Sequence, residues 1–147
     1  MRVAAARSPV GTLELVPIIT VSAVVFQRSD ARVLTVRKRG TAMFMLPGGK
    51  PESGESEADC ARREVFEELG IELAPADVEP LGTFDAPAAN EAGFMVHASV
   101  FRASVNADEL APEPQAELDE LRWILPADGI DDPREAPLNR DVVFPLL

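Results

Sequence analysis

Cysteine is almost missing from this chain. Cys60 is alone, so no disulfide can form within it, which fits a reducing compartment. Tyrosine is absent, and His97 and Trp123 are the single members of their kinds. Long apolar runs are lacking too. Nothing approaches the roughly 20 consecutive apolar residues that a membrane helix needs. The stretch Met1 to Val10 sets Arg2 and Arg7 around a short alanine run, without the apolar core of a secretory signal. Basic residues are scarce, with 14 Lys and Arg against 25 Asp and Glu, for a net charge of −11. Such a chain repels phosphate backbones, so a nucleic-acid polymer and a membrane are both excluded as expected partners. A small anionic ligand stays open if a divalent metal and a few local cations neutralise it. No internal repeat or low-complexity tract is present. The expectation is one domain over residues 1–147, in the cytoplasm by default, with enough hydrophobic sequence (46%) for an ordinary core.

What is there reads as alternating strands and helices. Pro17 to Phe26 is rich in β-branched residues and predicts a buried strand. Arg32 to Arg39 predicts a second strand, expected to be its hairpin partner across the polar turn Gln27 to Ala31. Met43 to Leu46 is a short apolar run stopped by Pro47-Gly48-Gly49. Ser56 to Leu69 is the clearest helix. Ser56 and Asp59 form an N-terminal capping pattern, Gly70 suits a left-handed C-terminal cap, and Ala58, Ala61, Val65 and Leu69 make an apolar stripe. Further strands are predicted over Val78 to Phe84, Phe94 to Val105 and Leu121 to Leu125. Asn139 to Leu147 is expected to form a closing helix, shortened by Pro145. The pattern implies an α/β domain with a mixed central β-sheet between helical layers.

The helix carries three carboxylates, Glu64, Glu67 and Glu68, at i, i+3 and i+4, hence on one face. Like charges at this spacing destabilise a helix, and they lie toward the end where the helix dipole disfavours anions. A hard divalent cation, which takes several converging oxygen ligands, removes both penalties. A solvated acidic face is the alternative. Just upstream, Gly48 and Gly49 allow close approach of backbone to a ligand.

From Gly49 the sequence reads GKPESGESEADCARREVFEELGI. It resembles the box of the Nudix hydrolases, of the MutT-like kind: Gly, five residues, Glu, seven residues, Arg-Glu, an aliphatic, any residue, Glu-Glu, any residue, Gly, an aliphatic. Gly49, Glu55, Arg63, Glu64, Val65, Glu67, Glu68, Gly70 and Ile71 occupy every defined position. The resemblance implies the Nudix α/β/α sandwich. It implies Glu64, Glu67 and Glu68 as metal ligands, with Glu64 as the alternative base, and the carbonyl of Gly48 as a backbone ligand. Arg63 would orient the glutamates, and Glu55 would lie near the metal. The expected metal is magnesium, or manganese in its place. A further carboxylate from a later loop is assigned to Glu120, preferred over Glu117.

Cations for a substrate phosphate are sought in Arg37 and Arg39, which alternation puts on the face opposite Lys38, and in Lys50 beside the box. Ordinary edge-strand charge is the simpler role for each. Gly49 is expected to approach the substrate. Asn139 is a candidate for reading a base edge, with a helix cap as its simpler role. His97, Cys60 and Trp123 are expected to be structural.

The implied reaction is hydrolysis of a diphosphate linkage in a small nucleotide: first, a nucleoside triphosphate to its monophosphate and pyrophosphate. The alternative is cleavage of ADP-ribose or another nucleoside diphosphate sugar. A proline about sixteen residues past the box, Pro87 here, is a weak marker for it. A catalytically silent nucleotide sensor is the third reading. The apolar segment Val10 to Pro17 is a candidate surface for a homodimer.

Overall fold

In the computed structural model, residues 2–7 and 13–147 are described. The chain begins with β1 (Arg2–Arg7) and β2 (Leu13–Val25), paired antiparallel. β3 (Val33–Lys38) and the two-residue β4 (Gly48–Gly49) precede helix α1 (Glu57–Leu69). β5 (Val78–Pro87), β6 (Met95–Ala103), β7 (Leu118–Ile124) and the short helix α2 (Pro126–Gly129) follow. The chain closes with a π-helical segment, Leu138–Val143, and a 3₁₀ turn, Phe144–Leu146.

The larger sheet runs β1-β2-β6-β5, with β4 also paired to β2. β2 and β6 are parallel, whereas β5 lies antiparallel to β6, so the sheet is mixed, as expected. Alternation along β2 divides its burial between two cores. Val24 and Phe26 pack with Ala61, Val65 and Leu69 of α1. Ala23 and Val25 pack on the other face with Ala98, Val100, Leu138, Val143 and Phe144. The sheet is therefore enclosed by α1 on one side and the C-terminal helical turns on the other, an α/β/α sandwich.

The expected hairpin between β2 and β3 is corrected. Both long edges of β2 are occupied, one by β6 and the other by β1 and β4. What joins the two stretches is confined to the turn: a bridge between Gln27 and Val33, and hydrogen bonds from Arg28 N–H to the Arg32 carbonyl and from Leu34 N–H to the Phe26 carbonyl. β3 instead pairs antiparallel with β7 in a separate two-stranded sheet. β7 also begins at Leu118, earlier than the expected Leu121.

The α1 boundaries follow from their caps. The Ser56 hydroxyl accepts from the Asp59 N–H at 3.1 Å, and Gly70 closes the helix at φ 70°. Of the expected stripe, Ala61, Val65 and Leu69 are buried and Ala58 is half-buried. Cys60 and Glu68 are buried with them. The last expected helix does form, but as π and 3₁₀ turns, with Pro145 in the terminal turn.

Val10 to Thr12, part of the candidate dimer segment, lies outside the described residues. Leu13 to Pro17 is paired within the chain by β1. Among the described residues no helix is long and apolar enough to cross a membrane.

Candidate active site at the glycine loop

The site is built where β4 and α1 meet. Gly48 and Gly49 pair with Ala23 and Ser22 of β2 so closely that side chains are excluded. A Cβ on Gly48 would lie 2.0 Å from the Ser22 carbonyl oxygen, and one on Gly49 would lie 2.4 Å from the Glu64 carboxyl carbon. At Gly48 the obstacle is backbone and glycine is required by space, whereas at Gly49 the Glu64 carboxylate would have to move aside. The Gly48 N–H then donates to Glu68 Oε1 at 2.9 Å, tying the loop to the helix.

Arg63 organises the acidic face. Its Nε and Nη2 grip Glu55 at 2.7 and 2.8 Å in a forked pair, and Nη1 donates to Glu64 at 3.0 Å and to Glu67 at 3.3 Å. Nη2 also reaches the Lys50 carbonyl at 3.1 Å. Arginine suits this position because its planar fork can serve several acceptors at once. Hydrogen bonds from Arg63, joined by one from the Glu52 backbone, hold the Glu55 carboxyl down at about 2. Hydrogen bonds to Glu55 foremost, and to Glu64 and Glu67, push the Arg63 guanidinium further toward its charged form.

The neighbouring glutamates shift the other way. Burial raises Glu64, against the pull of Arg63. Glu68 is 5% exposed, and burial pushes its carboxyl up to about 8, opposed by the Gly48 N–H and Lys38 and reinforced by the charges of Glu64 and Glu117. No arginine or lysine is within ion-pairing distance of Glu68 among the described residues. A carboxylate sealed without a counter-charge is costly unless something neutralises it.

A divalent cation fits that requirement. The donors are all hard oxygens, from Glu64, Glu67, Glu68 and the adjoining glycine backbone. Among the described residues, however, no three acidic, histidine or cysteine groups already converge as a coordination sphere. Glu67 is turned toward Arg63 and is half exposed, so it would have to leave that pair to join the others.

Above the acidic face is a cavity of about 400 Å³. Glu64, Gly48, Gly49, Lys50, Lys38 and Glu117 line one end. Ile19, Val21, Met45, Leu46, Val96 and Leu138 give it apolar walls, closed by Pro87, Asn90 and Asn139. The structure thus brings together Glu64, Gly48, Gly49, Lys50 and Asn139 from the sequence reading.

Three other candidates are placed elsewhere. Arg37 donates to Glu120 at 3.1 Å and Asp119 at 2.9 Å, and does not line the cavity. Arg39 is exposed on the strand end, with its backbone N–H bonded to the Glu117 carbonyl. Glu120 is occupied by Arg37 and, at 3.8 Å, by Arg134. The residues that line the cavity in their stead are Lys38 and Glu117. A register shift between Arg37 and Lys38 follows the pairing of β3 with β7, and Lys38 takes the cavity face. Glu117 arrives through a turn in which Ala116 adopts φ 54° and Gln115 N–H bonds the Glu68 carbonyl. Alternation already separated Lys38 from the two arginines, but nothing in the sequence marks Ala116 as left-handed.

Asn139 does not cap a helix. It is buried inside the π-helical segment, with its amide nitrogen on Glu135 Oε1 at 3.1 Å and on the Phe44 carbonyl at 3.4 Å. His97 is held by Asp85 across β6 and β5 at 2.6 Å. The Cys60 thiol is buried against the Gly49 carbonyl at 3.4 Å, and burial raises its pKa, opposite to an activated nucleophile. Trp123 packs on the α1-side core beneath the Arg28 guanidinium, 3.8 Å from the ring centre.

Known proteins resemble this chain in sequence and in fold. The chain is similar to the NAD-capped RNA hydrolase NudC of Pseudomonas syringae pv. syringae (strain B728a), 27% identical over 137 residues, covering 92% of this chain and 45% of that protein. It is similar to a putative 8-oxo-dGTP diphosphatase of Bacillus subtilis (strain 168), 25% identical over 103 residues, covering 70% and 64% respectively. It therefore spans less than two thirds of either relative. In fold it resembles the crystal structure of the MutT protein from Methanosarcina mazei Go1, with a TM-score of 0.72 at 22% identity, over 88% of this chain and 92% of that one. The NUDIX domain model matches residues 16–146, nearly the whole chain, and with the intact box folded around Arg63 this chain belongs to the Nudix family, whose members generally use a divalent metal.

Proposed function

We propose that this chain is a magnesium-dependent hydrolase that cuts the diphosphate linkage of a small nucleotide, converting a nucleoside triphosphate to its monophosphate and pyrophosphate by water attack at phosphorus. Manganese is the alternative ion. The observation that carries this reading is Glu68: a nearly sealed carboxylate with no ion-pair partner among the described residues, one helical turn along α1 from Glu64, which lines the cavity.

Glu64, Glu67 and Glu68, with the Gly48 carbonyl, would hold the ion; Arg63 with Glu55 keeps Glu64 in place, and Glu67 would turn from Arg63 to the ion. When bound, the divalent cation supplies charge neutralisation of the diphosphate and an acidified water. Lys38 and Lys50 line the same end and attract the phosphates. Glu117, replacing Glu120 in this role, can accept the proton of the attacking water. The apolar walls take the base and sugar, and Asn139 contacts the base. Arg37 stays with Glu120 and Asp119 as a strut of the β3–β7 pair.

A second reading, ADP-ribose or a nucleoside diphosphate sugar, is favoured by one observation: Pro87 lines the cavity. A panel of ordinary and oxidised nucleoside triphosphates, ADP-ribose, sugar nucleotides and dinucleoside polyphosphates, each with magnesium, separates the two. Pyrophosphate from one triphosphate, lost in Glu67→Gln, is the expected result. Turnover of ADP-ribose or sugar nucleotides alone would favour the second reading. Nucleotide binding without any turnover would make the chain a sensor.

A further inference from the structure

The start of β7 is irregular, and a single arginine grips the irregularity. From Val33 to Arg37 the β3–β7 register is constant, with Arg37 facing Glu120, yet Lys38 faces Leu118. Asp119 is therefore an extra residue, a β-bulge, which bends a strand and re-aims its side chains. Without it Lys38 would face Asp119, and Arg39 would face Leu118. A slip of one residue turns each side chain of a strand to the opposite face. Leu118, 3% exposed within the α1-side core, would leave that core, and Glu117 would leave the cavity.

Arg37 closes the bulge. Its Nη2 donates to Asp119 Oδ2 at 2.9 Å and its Nε to Glu120 Oε1 at 3.1 Å, so one guanidinium holds the extra residue and its neighbour together. Among the described residues no other cation pairs with Asp119, and Glu120 has besides only the 3.8 Å contact to Arg134. The remaining nitrogen, Nη1, donates to the Thr41 carbonyl at 3.0 Å. Thr41 in turn donates from its N–H and its hydroxyl to the Lys38 carbonyl, at 3.1 and 2.7 Å. Between them, Arg39 N–H reaches the Glu117 carbonyl at 2.8 Å. Lys38, Thr41 and Glu117 all line the cavity, and all hang on this turn and bulge. Arg37 does not line it. Ion pairs at a surface contribute little to stability, so three acceptors gathered on one planar fork matter for geometry.

We infer that Arg37 is a positioning residue for the reaction: it pins the bulge at Asp119 and the turn 38–41, and so sets Glu117 and Lys38 at the cavity without itself touching the substrate. The inference rests on the roles proposed above for Glu117 and Lys38.

Arg37→Met keeps the apolar stem and removes all three bonds. Arg37→Lys keeps the charge, but an ammonium is a point and does not span the three acceptors. Glu120→Gln is no substitute, because its amide oxygen still accepts from Nε. The pin is read first without substrate, by amide hydrogen exchange followed by NMR. Arg39 N–H, bonded to the Glu117 carbonyl, should exchange at least about tenfold faster in Arg37→Met and by a smaller factor in Arg37→Lys. Val36 N–H, bonded to the Met45 carbonyl, should keep its rate and show that β3 stays folded. Turnover is measured next, on the best substrate of the panel. Arg37→Met should lower kcat by at least about tenfold, and adding it to Glu117→Gln should cost no more than about threefold further, because both changes take away the same placed carboxylate. A merely structural role would multiply the two losses. An unchanged Arg39 exchange rate, an unchanged kcat, or multiplying losses in the double variant overturns the inference. If Arg37→Met does not fold, Arg37→Lys carries both tests. If the wild type turns over no substrate, it is the proposed function that fails, and the Arg39 exchange rate alone decides whether Arg37 pins the bulge.

Discussion

At one end of the cavity, Gly48, Gly49, Lys50 and Glu64 come from one short stretch of chain, which also carries Glu55, Arg63, Glu67 and Glu68 outside the lining. At the other end, Ile19, Met45, Val96 and Asn139 come from segments far apart in sequence. The acidic end is held by charge-assisted hydrogen bonds centred on Arg63, and the far end by apolar packing around the buried Glu135–Asn139 contact. The difference separates chemistry from recognition. Diphosphate hydrolysis needs charges at helical spacing and a tight loop, which local sequence can specify. A base pocket needs walls, which only the folded chain can bring together.

The largest contrast lies within the acidic end itself. Glu68 is pushed up to about 8, above its ordinary value, so its contribution to stability is present at low pH and lost as pH rises toward that value. Without divalent metal, stability should fall between about pH 4.5 and pH 8, by at most about 5 kcal/mol for this group. Magnesium should reverse the fall, because it binds the ionised form. Glu55, held at about 2, behaves oppositely: its contribution is present above pH 4.5 and lost as pH drops toward 2. Melting curves across pH, with EDTA or magnesium, test both signs. A rising stability from pH 5 to 8 in EDTA would remove the argument from Glu68.

Breaking the chemistry without the walls comes next. Glu67→Gln should lower kcat by about 10²- to 10³-fold while nucleotide binding and the melting temperature change little, because this side chain is exposed. A large loss of binding instead would place Glu67 in recognition. Gly48→Ala should damage both ends. Its methyl group meets the Ser22 carbonyl and displaces the loop from Glu68, which costs about 2–3 kcal/mol. A melting temperature equal to the wild type would show that the loop has room to yield.

The smallest effect is also the sharpest comparison. Glu117→Gln should reduce kcat by about 10²-fold with little change in stability. Glu120→Gln, which loosens an exposed ion pair with Arg37, should change stability by about 1 kcal/mol or less and leave kcat alone. The opposite ranking would return the base to Glu120.

Much of the acidic end was legible because its determinants are near neighbours in the chain. Ser56 and Gly70 bound the helix, and the i, i+3, i+4 spacing puts the three glutamates on one face whatever surrounds them. Arg39, Arg37 and Glu120 were harder. Their faces depend on which strand β3 pairs with and in what register, and the pairing with β7 carries a shift between Arg37 and Lys38. Glu117 depends on a left-handed Ala116, a conformation that a non-glycine residue adopts only when its surroundings enforce it.

The sequence by itself determined the box, its helix, the caps and the charge that the site gathers, because spacing along a helix is a local property. Tertiary structure alone decided that β2 is enclosed by β6, β1 and β4 and that β3 turns to β7. It also decided that Lys38 and Glu117 reach the cavity and that the Asn139 amide donates to the buried Glu135 carboxylate. Those outcomes rest on competition for strand edges and buried hydrogen-bond partners, and such competition exists only once distant segments are in contact.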